Sequence, residues 1–224
     1  MSLDAGLVQG VLLDLDGTLI ETDDALVASL ATRLGFLRAL APDHDTRPLA
    51  RRLVMWSEGP TNYGIALLDR LGLDGPLLGL TDRLRRMKGI GTRDSFRLVE
   101  DTEGVLHHLV ERYRLAVVTT RARREAYAFV ERSGLRPYFE VVTTRQDTWR
   151  LKPHPAPIRH TAAILGLSPR HCLMVGDMDT DIRAAKRAGA QAVGVLSGFG
   201  EEQELRAAGA DLILADVSEL REWL

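Results

Sequence analysis

The sequence lacks the features that mark secreted, membrane-spanning and nucleic-acid-coating proteins. Its 224 residues include one cysteine, Cys172, which excludes an internal disulfide and is expected to be a small buried hydrophobe. The formal net charge of -2 argues against a protein that coats nucleic acid or binds a membrane through a polybasic surface. No apolar run reaches membrane-spanning length, and no basic-then-apolar leader opens the chain. We therefore expect a cytoplasmic globular protein with no nucleic-acid or membrane partner.

The chain also lacks repeats and low-complexity tracts, and instead shows two regions of different periodicity. Between Thr22 and Thr92, apolar residues recur at helical spacing and no convincing strand is found, which predicts a small helical bundle. In the second half, short apolar strands alternate with helical patterns. The predicted strands there are Leu115–Val118, Phe139–Thr143, Leu173–Val175, Ala192–Leu196 and Asp211–Leu214, and the helical patterns are Val105–Val110, Ala126–Val130, Ile158–Leu165 and Ile182–Ala188.

Strand–helix alternation of this kind predicts an α/β fold with an open, doubly wound parallel sheet that helices cover on both faces. We expect this domain to comprise residues 1–20 and 95–224. The helical bundle, residues 21–94, would form a small all-helical domain inserted after the first strand. In such sheets, ligands bind outside the carboxyl ends of the strands.

The first strand ends in the most informative motif of the chain. The apolar run Val11–Leu13 leads into Asp14, Leu15 and Asp16, and a Gly-Thr turn follows at once. Because side chains alternate along a strand, Asp14 and Asp16 are expected to share a side. Two crowded carboxylates repel each other, and a divalent cation is the simplest compensation.

Further polar residues follow other predicted strands. Thr119 and Thr120 follow the strand that ends at Val118, although a threonine there could also cap a helix. Asp177, Asp179 and Asp181 follow the strand that ends at Val175, where one acid, but not three, is explained as a helix N-cap. Lys152 precedes a proline, which favours an extended backbone. Carboxylates, a hydroxyl and one cation together suit phosphoryl transfer with magnesium.

These motifs resemble those of the haloacid dehalogenase superfamily, in its magnesium-dependent phosphatase branch. The resemblance rests on Asp14-Leu-Asp16-Gly-Thr-Leu, Val118-Thr119, Lys152-Pro153 and Gly176-Asp177-x-x-x-Asp181, which occur in the family's order. It implies a Rossmann-like core, and residues 21–94 would be the inserted helical cap of phosphoglycolate-phosphatase-like and β-phosphoglucomutase-like members.

The resemblance also implies different roles for the two aspartates of the first motif. Asp14 would be the nucleophile that attacks phosphorus. Asp16 would protonate the leaving alcohol and then activate water, and its main-chain carbonyl would bind magnesium. Haloalkanoate dehalogenases of this superfamily lack an acid at the position of Asp16, since a halide leaves without protonation. Asp16 therefore favours phosphate chemistry.

The other motifs supply the expected metal and phosphate ligands. Asp177 and a carboxylate oxygen of Asp14 would complete the protein ligands of magnesium, with Asp181 close by through water or hydrogen bonds. Asp14, Thr119 and Lys152 would hold the transferring phosphoryl group. Thr120 stands where relatives usually carry asparagine, so this expected phosphate contact departs from the family pattern.

Side chains near these motifs have plainer interpretations. Arg121, Arg123 and Arg124 could favour an anionic substrate, but a solvated helix face is the favoured interpretation. Asp179 is expected to cap a helix or to support the metal site indirectly. His154 is expected to belong to loop structure.

The predicted cap is rich in basic residues, which would suit a substrate with a second anionic group, such as phosphoglycolate. The basic residues are Arg47, Arg51, Arg52, Arg83, Arg85, Arg86 and Lys88. We expect the cap to close over a small phosphorylated metabolite, with hinges near Leu19–Thr22 and Gly91–Phe96. The expected function is that of a phosphatase. The alternatives are a sugar phosphomutase of the same superfamily and, more distantly, a phospho-accepting signalling domain.

Overall fold

The computed structural model of the chain describes residues 3–21, 32–35, 46 and 97–224. By its internal contacts the chain divides into two compact units, Met1–Thr22 with Phe96–Leu224, and Asp23–Ser95. The helices predicted for the inserted region, its basic side chains and the hinge at Gly91–Phe96 lie outside the described residues. No helix among the described residues is long and apolar enough to cross a membrane.

A parallel sheet forms the centre of the first unit. Its six strands lie in the order β3-β2-β1-β4-β5-β6, and every neighbouring pair is parallel. From β1 the chain builds the sheet outward through β2 and β3 on one side, and through β4, β5 and β6 on the other. The predicted doubly wound α/β fold is therefore confirmed. The strands are β1 Gly10–Leu13, β2 Arg114–Val118, β3 Val141–Thr143, β4 Cys172–Gly176, β5 Gln191–Val195 and β6 Leu212–Leu214.

Helices follow most of the strands. They are α1 Thr102–Val110, α2 Arg123–Arg132, α3 Ala156–Ile164, α4 Asp179–Ala188 and α5 Glu202–Ala208. The four helical patterns of the second half correspond to α1–α4. The sequence analysis missed α5, a short helix in which only Leu205 is buried, so it has almost no apolar periodicity. Its signals were the acidic capping box of Glu201 and Glu204 and the terminal Gly209.

Each face of the sheet has its own apolar layer, because successive strand residues point to opposite faces. Leu13, Val117 and Val175 belong to one layer, together with Phe129 of α2. The other layer contains Leu12, Met174 and Cys172, together with Ile158 of α3 and Ile182 of α4. Cys172 is fully buried, as predicted.

The register of the central strands brings three functional loops to one edge. Leu13 of β1 lies opposite Val117 of β2 and opposite Val175 of β4. The Asp14 N–H continues the ladder by donating to the Val175 carbonyl at 3.0 Å. The residues that follow these three strands therefore meet at the carboxyl edge of the sheet.

Candidate active site

Three buried aspartates cluster at this edge. Asp14 follows β1, Asp177 follows β4 and Asp181 lies in the first turn of α4. One carboxylate oxygen of each lies within 4.8 Å of the others, so the group could hold a metal ion. The Asp16 side chain is outside this cluster, and its predicted contribution to the metal was its main-chain carbonyl.

Lys152 is the cation that lies inside the cluster. Its Nζ lies 3.0 Å from Oδ1 of Asp14 and 2.5 Å from Oδ1 of Asp181. It also donates to the main-chain carbonyl of Val118 at 3.0 Å. Burial opposes the charge of this ammonium, but the charges of Asp14 and Asp181 outweigh burial and raise the pKa of Lys152. Lys152 is therefore a buried cation of the site and not a solvated surface lysine.

One lysine does not balance three carboxylates. Burial, together with the charges of Asp181 and Asp16, raises the pKa of Asp14 to about 7 despite the opposing effect of Lys152. Burial and the charges of Asp181 and Asp14 also raise the pKa of Asp177 well above its usual range. Oxygen donors with an excess of negative charge suit a hard divalent cation, so this donor set fits magnesium.

A loop after β5 holds Asp177 in place. The Phe199 N–H donates to Oδ2 of Asp177 at 2.8 Å. Gly198 and Gly17 approach so closely that a Cβ atom on them would lie 2.0 and 2.3 Å from the same oxygen. The φ of Gly17 is +72°, in the left-handed region, and Ser197 Oγ donates to its carbonyl at 2.6 Å. This loop was not predicted from the sequence, and its signal is Ser197-Gly-Phe-Gly, which begins two residues after the end of β5.

Asp16 is paired with Arg121. The Nε of Arg121 donates to Oδ2 of Asp16 at 2.7 Å, and Nη2 of the same guanidinium donates to Oδ1. The Arg121 side chain is only 20% exposed. The prediction of a solvated helix face is wrong for Arg121, because α2 begins only at Arg123 and Arg121 lies in the loop after β2. Arg123, in contrast, is exposed and pairs with Asp147.

The two threonines after β2 differ in their surroundings. Thr119 is buried, and its Oγ1 accepts a hydrogen bond from the Arg121 N–H at 3.1 Å. It does not cap α2, whose N-cap is Ala122. Thr120 is half-buried, and no hydrogen bond or ion pair joins its side chain to the described aspartates or to Lys152. Phosphate binding by either threonine stays a prediction.

The remaining polar residues have structural partners. Oδ2 of Asp181 accepts the Met178 N–H at 3.1 Å, so this residue caps α4 while its other oxygen faces Lys152. Asp179 forms an ion pair with Arg183 on the same helix at 3.1 Å. His154 Nδ1 accepts the Ala156 N–H at 3.2 Å, which agrees with its predicted role in a loop.

A buried carboxylate cluster at the carboxyl edge of a doubly wound parallel sheet is typical of α/β enzymes, whose catalytic residues lie in the loops that follow the strands. A family model described as haloacid dehalogenase-like hydrolase matches residues 68–195. The chain is 31% identical over 219 residues to a pyrophosphatase PpaX of Bacillus pumilus, an alignment that covers 95% of this chain and 94% of that protein. This chain therefore belongs to the haloacid dehalogenase-like hydrolases.

Two further similarities are shorter or more distant. A phosphoglycolate phosphatase of Nitrosococcus oceani is 31% identical over 122 residues, which are 54% of each chain. The structure of a candidate β-phosphoglucomutase from Thermotoga maritima superposes with a TM-score of 0.68 at 23% identity, covering 97% of this chain and 100% of the other. At 23% identity, this structural similarity shows a shared fold and no more.

Proposed function

We propose that this protein is a magnesium-dependent phosphatase that hydrolyses a small phosphorylated metabolite through an aspartyl-phosphate on Asp14. The observation that carries the proposal is the buried Asp14 carboxylate, which contacts Lys152 and lies beside Asp177 and Asp181. Related hydrolases named for phosphoglycolate and for pyrophosphate support the choice of phosphate chemistry. In this proposal the partner is the small phosphorylated metabolite itself, and the protein binds neither nucleic acid nor a membrane.

In the first step of the proposed mechanism, a carboxylate oxygen of Asp14 attacks phosphorus and the bond from phosphorus to the leaving oxygen breaks. Asp16 gives its proton to that oxygen. In the second step, Asp16 takes a proton from water, whose oxygen attacks the phosphorus of the aspartyl-phosphate. Inorganic phosphate then leaves and the Asp14 carboxylate is restored. Lys152 and Thr119 would bind the phosphoryl oxygens during both steps.

Magnesium would be held by the Asp14 and Asp177 carboxylates and the main-chain carbonyl of Asp16, with Asp181 close by. When bound, the ion would neutralise charge between the nucleophile and the phosphoryl group. Lys152 keeps Asp14 oriented, and the Phe199 N–H keeps Asp177 oriented. These contacts support the proposal because they fix both carboxylates before substrate arrives.

A second candidate substrate is inorganic pyrophosphate. The observation that favours it is the 31% identity, over nearly the whole chain, to a protein named pyrophosphatase PpaX. The same residues would serve, because the leaving group would be phosphate instead of an alcohol. The sugar phosphomutase stays an alternative, and membership of a hydrolase family disfavours the signalling domain.

The test is hydrolysis of p-nitrophenyl phosphate, of pyrophosphate and of a panel of metabolite phosphates, with magnesium and with excess chelator. We expect magnesium-dependent release of phosphate, which Asp14→Asn lowers by more than about 10³-fold. Asp179→Asn, an acid at the same edge but outside the cluster, serves as the control. Activity that survives in Asp14→Asn would contradict the assignment of the nucleophile. Interconversion of sugar phosphates without phosphate release would establish the mutase.

We also propose a cytoplasmic location. The single buried cysteine supports it, because secreted domains commonly rely on disulfides. Fractionation of cells that express a tagged protein at native level tests this proposal, and recovery from the culture medium or the membrane fraction would contradict it.

A further inference from the structure

Arg121 binds the residue that the proposed mechanism needs to move protons. Its guanidinium forms a fork with both carboxylate oxygens of Asp16, one bond to Oδ2 measuring 2.7 Å. A fork of this kind is more rigid and stronger than a contact with a single charged atom. Both oxygens of Asp16 therefore accept hydrogen bonds from one guanidinium.

The backbone of Arg121 is fixed within the loop after β2. Its N–H donates to Oγ1 of Thr119 at 3.1 Å, and its carbonyl accepts the Arg145 N–H at 3.2 Å. Its side chain is 20% exposed, whereas that of Asp16 is 47% exposed. The guanidinium is thus held at the site by its own loop, and Asp16 is the partner with more access to solvent.

Proton transfer requires a different arrangement. To give a proton to the leaving oxygen, Asp16 must direct one of its oxygens toward that atom instead of toward Arg121. The guanidinium then loses bonds to Asp16 while it remains largely shielded from water. The charges of Glu125 and Asp14 also act on this cation, but the two hydrogen bonds of the fork are lost when Asp16 turns away. An anionic acceptor that takes up those two bonds would therefore stabilise the reacting complex.

We propose that Arg121 is a specificity-determining residue that binds an anionic group on the leaving part of the substrate, within two or three bonds of the leaving oxygen. The proposal rests on the proposed phosphatase function and names its substrate class. A carboxylate next to the ester carbon, or a second phosphate joined through the leaving oxygen, meets this requirement. The position follows from the fork, because a group that replaces Asp16 on Arg121 lies beside the oxygen that Asp16 protonates. A neutral alcohol offers no such acceptor.

The test compares substrates that differ only in this anionic group. Phosphoglycolate and 2-hydroxyethyl phosphate have nearly the same size, but only the first carries a carboxylate, and pyrophosphate adds the phosphate case. We expect Arg121→Gln to lower the ratio of kcat/KM for phosphoglycolate to that for 2-hydroxyethyl phosphate by about 10- to 100-fold, mainly through KM. Arg121→Lys, which keeps the charge but not the fork, should lose less.

Arg124→Gln is the matched control, because this arginine is three residues away and exposed, and no hydrogen bond or ion pair joins it to another described residue. It should leave the ratio unchanged. An unchanged ratio in Arg121→Gln together with an unchanged pyrophosphate rate, or an equal fall in both variants, overturns the proposal. If circular dichroism shows that Arg121→Gln is unfolded, the ratio in Arg121→Lys decides by the same criterion. A wild-type protein that hydrolyses none of these three compounds but hydrolyses other phosphate esters of the panel also overturns this proposal, whereas one that hydrolyses no phosphate ester contradicts the phosphatase function itself. A fall in the pyrophosphate rate alone identifies a phosphate as the anion that Arg121 binds.

Discussion

At the scale of the residue, the Asp14 carboxylate is subject to opposing electrostatic effects. Lys152 favours its carboxylate form, whereas burial and the neighbouring Asp181 disfavour it. Asp177 experiences the same repulsion and receives one N–H from Phe199. A buried group of this composition is stable when a cation or a proton reduces its charge. We therefore expect protons and magnesium to compete for the cluster.

This competition makes the stability of the metal-free protein depend on pH. The pKa of Asp14 is about 7 in the folded state against 3.8 for the free group, so the folded protein binds the proton more tightly. The resulting stabilisation is complete below about pH 4 and is lost as the pH rises through about 7. We expect Tm in chelator to fall between pH 5 and pH 8, and magnesium to raise Tm most at pH 8.

Differential scanning calorimetry at pH 5, 6, 7 and 8, with chelator and with magnesium, checks this prediction. Asp14→Asn should flatten the dependence in chelator and reduce the rise in Tm caused by magnesium. A metal-free Tm that increases between pH 5 and pH 8 in the wild type would show that Asp14 is ionised throughout.

At the scale of the element, the site is built by loops that follow β1, β2, β3, β4 and β5. Asp14, Thr119 and Asp177 directly follow the strands that end at Leu13, Val118 and Gly176, so their meeting at one edge could be predicted from apolar runs alone. The partners that act through loop conformation could not be predicted in this way. Arg121 lies two residues after Thr119, and no periodicity indicates which way its side chain turns.

The side-chain directions of Asp14 and Asp16 could not be predicted from the sequence for the same reason. Sequence reasoning treated Asp14 and Asp16 as a crowded pair because side chains alternate along a strand. β1 ends at Leu13, so strict alternation does not extend to Asp16, and the two acids find different partners. Asp14 clusters with Asp177 and Asp181, whereas Asp16 forms an ion pair with Arg121.

The loop after β5 offers a prediction at this scale. A Cβ atom on Gly198 would lie 2.0 Å from Oδ2 of Asp177, so Gly198→Ala must displace either the loop or the carboxylate. We expect the affinity for magnesium to fall by about 10- to 100-fold, because the group that orients a metal ligand is disturbed. Isothermal titration with magnesium measures the change.

Gly6→Ala is the matched control for that variant, because Gly6 is exposed and lies in the 3-10 turn Ala5–Leu7, which precedes β1. Its affinity for magnesium should equal that of the wild type. If Gly198→Ala bound magnesium equally well, the close approach of this loop would not be needed to hold Asp177.

At the scale of the whole molecule, the first unit contains all the described residues assigned to the site. It has apolar layers on both faces of its sheet. The chain leaves this unit and returns to it at adjacent points. Ile20 forms an antiparallel bridge with Leu98, and the Glu21 N–H donates to the Arg97 carbonyl at 2.9 Å. The two ends can therefore be joined by a short connection.

We predict that replacing residues 23–95 by about six glycine and serine residues leaves a unit that folds on its own. The variant should unfold in one cooperative transition, and magnesium should still raise its Tm, because Asp14, Asp177, Asp181 and Lys152 all remain. Calorimetry with and without magnesium measures both properties. A variant without a cooperative transition would show that the inserted residues are needed for the core to fold.

Covalent trapping measures directly whether Asp14 takes the phosphoryl group. The protein is mixed with a ³²P-labelled phosphate ester and magnesium, quenched in acid within milliseconds and digested. We expect acid-stable label on the peptide that contains Asp14, none in Asp14→Asn, and loss of the label from the wild type after brief alkaline treatment. Label on a different peptide, or substrate turnover in Asp14→Asn at the wild-type rate, would show that Asp14 is not the nucleophile.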